Sequence, residues 1–157
     1  MHEQIMGSGT SKTEKYESLI NPLKELLATE NDHIACMANL SSVLKETFGF
    51  FWVGFYIVKD KQLVLGPFQG SLACTRIDFG KGVCGKSWEL KKPIIVKDVE
   101  LYPDHIACSN LSRSEIVIPL FNEGVVWSVL DIDSDLVANF DSIDQSYLEK
   151  IVNFLNP

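Results

Sequence analysis

Three cysteines lie in segments whose composition is typical of loops, where a thiol can reach solvent. Cys108 lies in the polar stretch 101–113, Cys74 begins a short predicted strand, and Cys84 lies in the glycine-rich run 80–85. A thiol becomes nucleophilic when a nearby cation or backbone N–H groups lower its pKa. From the residues alone, each cysteine is also compatible with a small buried hydrophobic role, and the glycine run with a turn into a short helix.

Carboxylates and aromatic side chains cluster on other predicted strands. Asp131 and Asp133 occupy the same face of one strand because side chains alternate along it, and Glu115 opens the neighbouring strand. Close carboxylates can hold an ammonium group or share protons; the alternative is a polar outer face. Trp52 and Tyr56 share a face of an earlier strand. They can form an aromatic wall for a sulfur-containing side chain, or they can be ordinary core residues.

Composition bounds the class of protein. The chain has 157 residues, 46% of them hydrophobic, and a formal net charge of −7, which predicts one domain with a sizeable core. The acidic balance disfavours nucleic-acid and membrane partners, and no apolar run approaches the roughly 18 residues of a membrane helix. The first residues contain no secretory signal, so we expect a cytoplasmic protein with reduced thiols.

Periodicity predicts the elements that position these residues. Residues 1–12 are predicted as a flexible leader, partly an expression remnant, and residues 13–157 as one domain. Helices are expected over 12–28, 31–47 (capped by Asn31), 83–90 and after Asp141. Strands are expected over 50–58, 63–68, 74–77, 93–99, 115–121 and 125–133. Short hairpins, such as the one at 122–124, predict an α+β fold with a mainly antiparallel six-stranded sheet and helices packed on one face.

Taken together, these segments resemble the free methionine-(R)-sulfoxide reductases, a catalytic branch of the GAF-domain superfamily. The similarity covers nearly the whole domain, and all three family cysteines are present, which is more specific than any single motif. The matching stretches are 52–56, 65–70, 73–74, 80–85, 105–108, 114–117 and 129–134.

The resemblance implies a GAF-like catalytic domain whose active-site loops lie on the sheet face opposite the helices. It implies that Cys108 is the attacking thiol, Cys74 the main resolving thiol and Cys84 an auxiliary one. Cys36 lies outside the pattern, and we interpret it as a buried filler on the second helix. GAF relatives often pair, so a homodimer is also expected.

The implied activity is reduction of free L-methionine-(R)-sulfoxide to L-methionine. The Cys108 thiolate would attack the sulfoxide sulfur, while a protonated Glu115, its pKa raised by burial and by nearby aspartates, supplies a proton to the oxygen. The resulting sulfenic acid would condense with Cys74 to a disulfide, which thioredoxin or a similar dithiol reduces. Neither a metal nor an organic cofactor is expected.

The substrate is expected to be the free amino acid because both of its α-substituents are charged. Carboxylates would hold the ammonium group, and backbone N–H groups of the turn ending at Cys108 would hold the carboxylate. The substrate-binding residues predicted in this way are Trp52, Tyr56, Asp131, Asp133, Ile106 and Ala107.

Two alternatives remain open from the sequence. One is a non-catalytic GAF module that senses a small ligand, although the chain continues little beyond the domain and carries three loop cysteines. The other is a structural metal site built from Cys74, Cys84, Cys108 and His105, although no pair has the short spacing of usual zinc sites. His105 taken alone is most simply a hydrogen-bonded structural residue.

Trp127 stands where the family usually has a small residue, and simple alternation would place it on the face of Asp131, narrowing the pocket.

Overall fold

Six antiparallel strands form one sheet in the order β3-β2-β1-β6-β5-β4. The computed structural model describes residues 4–155. The strands are β1 (Trp52–Lys59), β2 (Gln62–Gln69), β3 (Arg76–Asp78), β4 (Ile94–Val96), β5 (Ser114–Asn122) and β6 (Val125–Ser134). The helices are α1 (Lys12–Ala28), α2 (His33–Phe48), α3 (Gly82–Leu90) and α4 (Ser142–Val152), and a 3-10 turn covers Val99–Leu101. No helix in this part of the chain is long and apolar enough to cross a membrane.

The two faces of the sheet carry different layers. Phe55, Leu130 and Ile132 are buried with the side chains of α1, α2 and α4 in the larger core. Tyr56 and Val129 point to the other face, where α3 packs against β3, β5 and β6. The predicted α+β fold is therefore confirmed, with α3 as the one described helix that lies on the side of the loops.

Local capping explains where the helices begin. The N-cap of α2 is Asp32, whose side chain accepts the Ala35 N–H at 3.0 Å. The predicted cap, Asn31, is wrong by one residue. The helix begins at His33, so the cap is the residue before it, whose side chain can accept the N–H three positions further on. The predicted cap of α4 is confirmed: Asp141 and Asp144 accept each other's backbone N–H groups in a capping box.

The segment before α1 lies against the helical layer. Ile5 packs on the larger core, and the Gly7 N–H donates to the Thr47 hydroxyl at 2.9 Å. Ser11 caps α1, which begins at Lys12 within the predicted leader. Residues 1–3 of that leader, and 156–157 of the predicted domain, lie outside the described residues, and the leader's flexibility stays a prediction.

A β-bulge redirects one large side chain. The register of β5 against β6 shifts so that Trp127 is an extra residue on β6. Its indole packs on the helical side, with ring centroids 5.4 Å from His33. The expectation that Trp127 shares the face of Asp131 is therefore wrong, because the bulge reverses the alternation at that point, and Trp127 does not narrow the pocket.

Candidate active site

A disulfide joins two of the predicted catalytic cysteines. Cys74 and Cys108 are bonded across 34 residues of sequence, with Cα atoms 5.5 Å apart. Cys74 lies between β2 and β3, and Cys108 lies in the long loop that leads into β5. Cys108 is exposed and Cys74 half-exposed, so an external thiol can reach the bond.

A pocket lies beside this disulfide, with β1, β5 and β6 as its floor and α3 and the Cys108 loop as its walls. Eight of the ten predicted site residues line it: Trp52, Tyr56, Cys84, Ile106, Cys108, Glu115, Asp131 and Asp133. The other two are Cys74, which is linked through its disulfide, and Ala107, whose side chain is exposed in the loop.

The three predicted carboxylates meet on the pocket floor. Glu115 on β5 pairs directly with Asp133 on β6, and Asp131 lies two residues before Asp133 on the same face. Glu115 and Asp131 are only 5% and 7% exposed, which excludes the polar outer face as an explanation. The Ser112 hydroxyl donates to Asp133 Oδ1 at 2.9 Å and fixes the third carboxylate.

Burial of these acids favours their protonated forms. Desolvation raises the pKa of Glu115 to about 8, and the nearby charge of Asp133 adds to the effect. Burial likewise raises the pKa of Asp131 well above its usual value, with the charge of Glu115 as the next cause. Glu115 therefore holds a proton at neutral pH, as a general acid requires.

The aromatic residues form a wall and also hold the Cys74 segment. The rings of Trp52 and Tyr56 are stacked with centroids 6.1 Å apart. The Trp52 indole N–H donates to the Ser71 carbonyl at 3.1 Å, and the Tyr56 hydroxyl donates to the Cys74 carbonyl at 2.9 Å. Gly54 lies between them because a Cβ there would be 2.5 Å from the Trp52 ring.

Comparisons with known proteins identify the family. The GAF domain family matches residues 35–155. The free methionine-R-sulfoxide reductase of Escherichia coli (strain K12) is 41% identical over 143 residues, which cover 90% of this chain and 87% of that protein. The chain belongs to the free methionine-(R)-sulfoxide reductase family.

Other relatives agree with this assignment. GAF domain-containing protein A of Dictyostelium discoideum is 52% identical over 99% of both chains. The X-ray structure of the Neisseria meningitidis free methionine-R-sulfoxide reductase in complex with its substrate superposes with a TM-score of 0.96 at 49% identity, covering 99% of this chain and 93% of that chain.

In this reductase-family chain, Cys84 is a buried neighbour of the acids. It lies in the first turn of α3 and is 3% exposed. Burial raises the pKa of its thiol, and the charges of Asp131 and Glu115 add to the rise. Such a thiol is a weaker nucleophile than an exposed thiolate. Its auxiliary resolving role stays a prediction.

The metal alternative is not supported by the geometry. In the proposed four-residue set, Cys74 and Cys108 are bonded to each other and offer no thiolate. Ligand atoms of Cys84, Glu115 and Asp131 do lie within 4.8 Å of one another.

The turn before Cys108 is braced against α3. The Ile106 side chain lies over Gly82, where a Cβ would be 2.9 Å from its Cδ1 and where φ is +59°. The Cys108 N–H donates to the Ile106 carbonyl at 3.1 Å. In this oxidised form, the Cys108 N–H is therefore engaged within the turn. The binding of a substrate carboxylate by backbone N–H groups of this turn stays a prediction.

Three contacts of the predicted site residues were not predicted from the sequence. Ser71 holds Trp52, Ser112 holds Asp133, and His105 Nε2 lies 3.5 Å from Glu115 Oε1. Serines in polar loops carry no distinguishing pattern, and the sequence suggested only a structural or metal-binding histidine. Only their proximity to predicted site residues could have drawn attention to them.

Proposed function

We infer that this chain is an oxidoreductase that reduces free L-methionine-(R)-sulfoxide to L-methionine by thiol chemistry. The observation that carries this inference is the Cys74–Cys108 disulfide beside a pocket with a protonated Glu115. The relatives described above are named for this activity. A sensor module needs neither a disulfide between loop cysteines nor a buried acid, so we favour catalysis.

The first half-reaction takes the oxygen from the substrate. The Cys108 thiolate attacks the sulfoxide sulfur while Glu115 transfers its proton to the oxygen. The S–O bond then breaks, and the hydroxyl is transferred to the Cys108 sulfur as methionine leaves. The sulfoxide is reduced by two electrons, and Cys108 becomes a sulfenic acid.

The second half-reaction stores the oxidation in the disulfide. The Cys74 thiol attacks the Cys108 sulfenic acid, and water leaves as the S–S bond forms. The Tyr56 hydrogen bond to the Cys74 carbonyl holds the resolving residue beside the pocket. An external dithiol protein such as thioredoxin then reduces the disulfide by thiol–disulfide exchange and is itself oxidised. A reducing compartment such as the cytoplasm supplies that partner.

Specificity for the free amino acid follows from the carboxylates. Asp131 Oδ1 is buried and accepts no hydrogen bond from the described residues. An α-ammonium group would supply the missing donor and favour the ionised carboxylate, with Asp133 beside it. A methionine within a peptide lacks that charge. Trp52 and Tyr56 would contact the sulfur-bearing side chain.

The decisive experiment measures turnover of free L-methionine-(R)-sulfoxide with a thioredoxin system. We expect activity in the intact protein and in Cys36→Ser, a control for the free cysteine on α2, and none in Cys108→Ser. The N-acetylated, amidated substrate should react at least tenfold more slowly. Inactive intact protein would refute the function, and equal turnover of both substrates would refute the role of the carboxylates. A homodimer stays a prediction.

A further inference from the structure

His105 connects the buried acid to the surface of the loop. Its Nε2 lies 3.5 Å from Glu115 Oε1, and its backbone N–H donates to the Tyr102 carbonyl at 3.3 Å. The His105 side chain is 14% exposed, whereas that of Glu115 is 7% exposed. Among residues 4–155, His105 is the basic side chain within ion-pair distance of Glu115.

The proposed reaction leaves Glu115 without its proton. Glu115 gives one proton to the sulfoxide oxygen, and condensation of the sulfenic acid with Cys74 releases water without returning it. The disulfide form, which is the form in this structure, is therefore a state in which Glu115 lacks its proton. If Glu115 takes a proton from solvent in this state, the later reduction by a dithiol returns one proton to solvent, because Cys108 is regenerated as a thiolate. In that state Glu115 is almost fully buried, and the loop that carries His105 and Cys108 forms a wall of its pocket.

We propose that His105 is a positioning residue that acts through Glu115. After each turnover, His105 returns a proton from solvent to the Glu115 carboxylate. This inference rests on the proposed function. A proton from water binds the imidazole, Nε2–H is then transferred to Glu115 Oε1, and the imidazole becomes neutral again. Ionised Glu115 would attract the imidazolium and shorten the 3.5 Å separation to a hydrogen bond.

The electrostatics favour transfer in this direction. Burial lowers the pKa of His105 from 6.5, an effect that the charge of Asp131 partly opposes, whereas burial raises the pKa of Glu115 to about 8. A proton on the imidazole therefore moves downhill to the carboxylate. The other titratable groups that face Glu115 are Asp131 and Asp133 on β6, Cys84 on α3, Tyr56 on β1 and Tyr102 after the 3-10 turn. Asp131, Cys84 and Tyr56 are buried, and Asp133 is partly exposed but accepts a hydrogen bond from the Ser112 hydroxyl.

Proton uptake can be measured separately from the redox chemistry. Reduced protein is mixed with one equivalent of free methionine sulfoxide in weak buffer, and a pH-indicator dye reports proton uptake while quenched samples report methionine. In the intact protein, uptake should keep pace with disulfide formation. In His105→Gln, proton uptake should lag at least tenfold behind the methionine formed in the same sample, and imidazole should restore the rate of uptake.

The matched control is His33→Gln, which changes the histidine that contacts Trp127 on the helical side. Its uptake should equal that of the intact protein. Proton uptake in His105→Gln at the rate of the intact protein would overturn the relay. An equal loss of methionine formation and of proton uptake, without rescue by imidazole, would also overturn it, because that result would mean that His105 only keeps the loop ordered. Absence of methionine in the intact protein would instead refute the proposed function.

Discussion

Replacing Glu115 with glutamine removes the proton that the proposed mechanism needs while keeping the shape of the side chain. In the structure, Glu115 faces Asp133 across the strands and lies next to Asp131. An amide still donates a hydrogen bond to the sulfoxide oxygen, but it cannot transfer a proton. The substitution therefore separates acid catalysis from simple hydrogen bonding.

The magnitude follows from the protonation state. With a pKa of about 8, Glu115 is about nine-tenths protonated at pH 7; at the ordinary value of 4.5, about 0.3% would be. Burial thus supplies about 300-fold more of the acid form. Loss of a positioned general acid typically costs about 10²–10⁴-fold, so we expect Glu115→Gln to slow the chemical step by at least about 100-fold at pH 7.

The assay is a single turnover of reduced protein, quenched at intervals and analysed for methionine between about pH 6 and pH 9.5. The rate of the intact protein should fall about tenfold per pH unit above about 8, as Glu115 loses its proton. The variant should lack that alkaline limb. Glu149→Gln, an exposed position on α4, is the matched control. A Glu115→Gln rate within threefold of the intact protein, with the same alkaline limb, would refute the reasoning.

Three further outcomes are expected. With Cys84→Ser also in place, Cys74→Ser should form one methionine per protein and leave a Cys108 sulfenic acid that a dimedone probe labels; sustained turnover of this double variant with thioredoxin would contradict the resolving role of Cys74. Gly54→Ala should lower the melting temperature by several degrees, because a Cβ 2.5 Å from the Trp52 ring overpacks the site at a cost of about 1–3 kcal/mol; an unchanged melting temperature would contradict the close packing. The folded state binds the Glu115 proton more tightly than the unfolded chain, so the free energy of unfolding should fall as the pH rises from about 4.5 to about 8, by up to about 1.4 kcal/mol per pH unit. Thermal unfolding should show a smaller fall in Glu115→Gln. An equal dependence of stability on pH in both proteins would contradict the shifted pKa.

The sequence by itself determined the elements and much of the site. Alternation along β6 placed Asp131 and Asp133 on one face, and turn residues separated the hairpins of the sheet. The resemblance selected Cys74 as the partner of Cys108, and the structure joins these two cysteines. These features are predictable because strand periodicity and turn preference act over a few residues, and because the family motif is recognisable along the chain.

Only the tertiary structure decided which groups meet and how their chemistry changes. The bulge at Trp127 depends on how β5 and β6 pair, so simple alternation failed there. The contacts of Tyr56 with the Cys74 segment and of His105 with Glu115 join residues that lie 10 or more positions apart. The raised pKa of Glu115 has the same origin, because desolvation depends on how completely the assembled sheet, helix and loop exclude water, and a local sequence pattern does not contain that information.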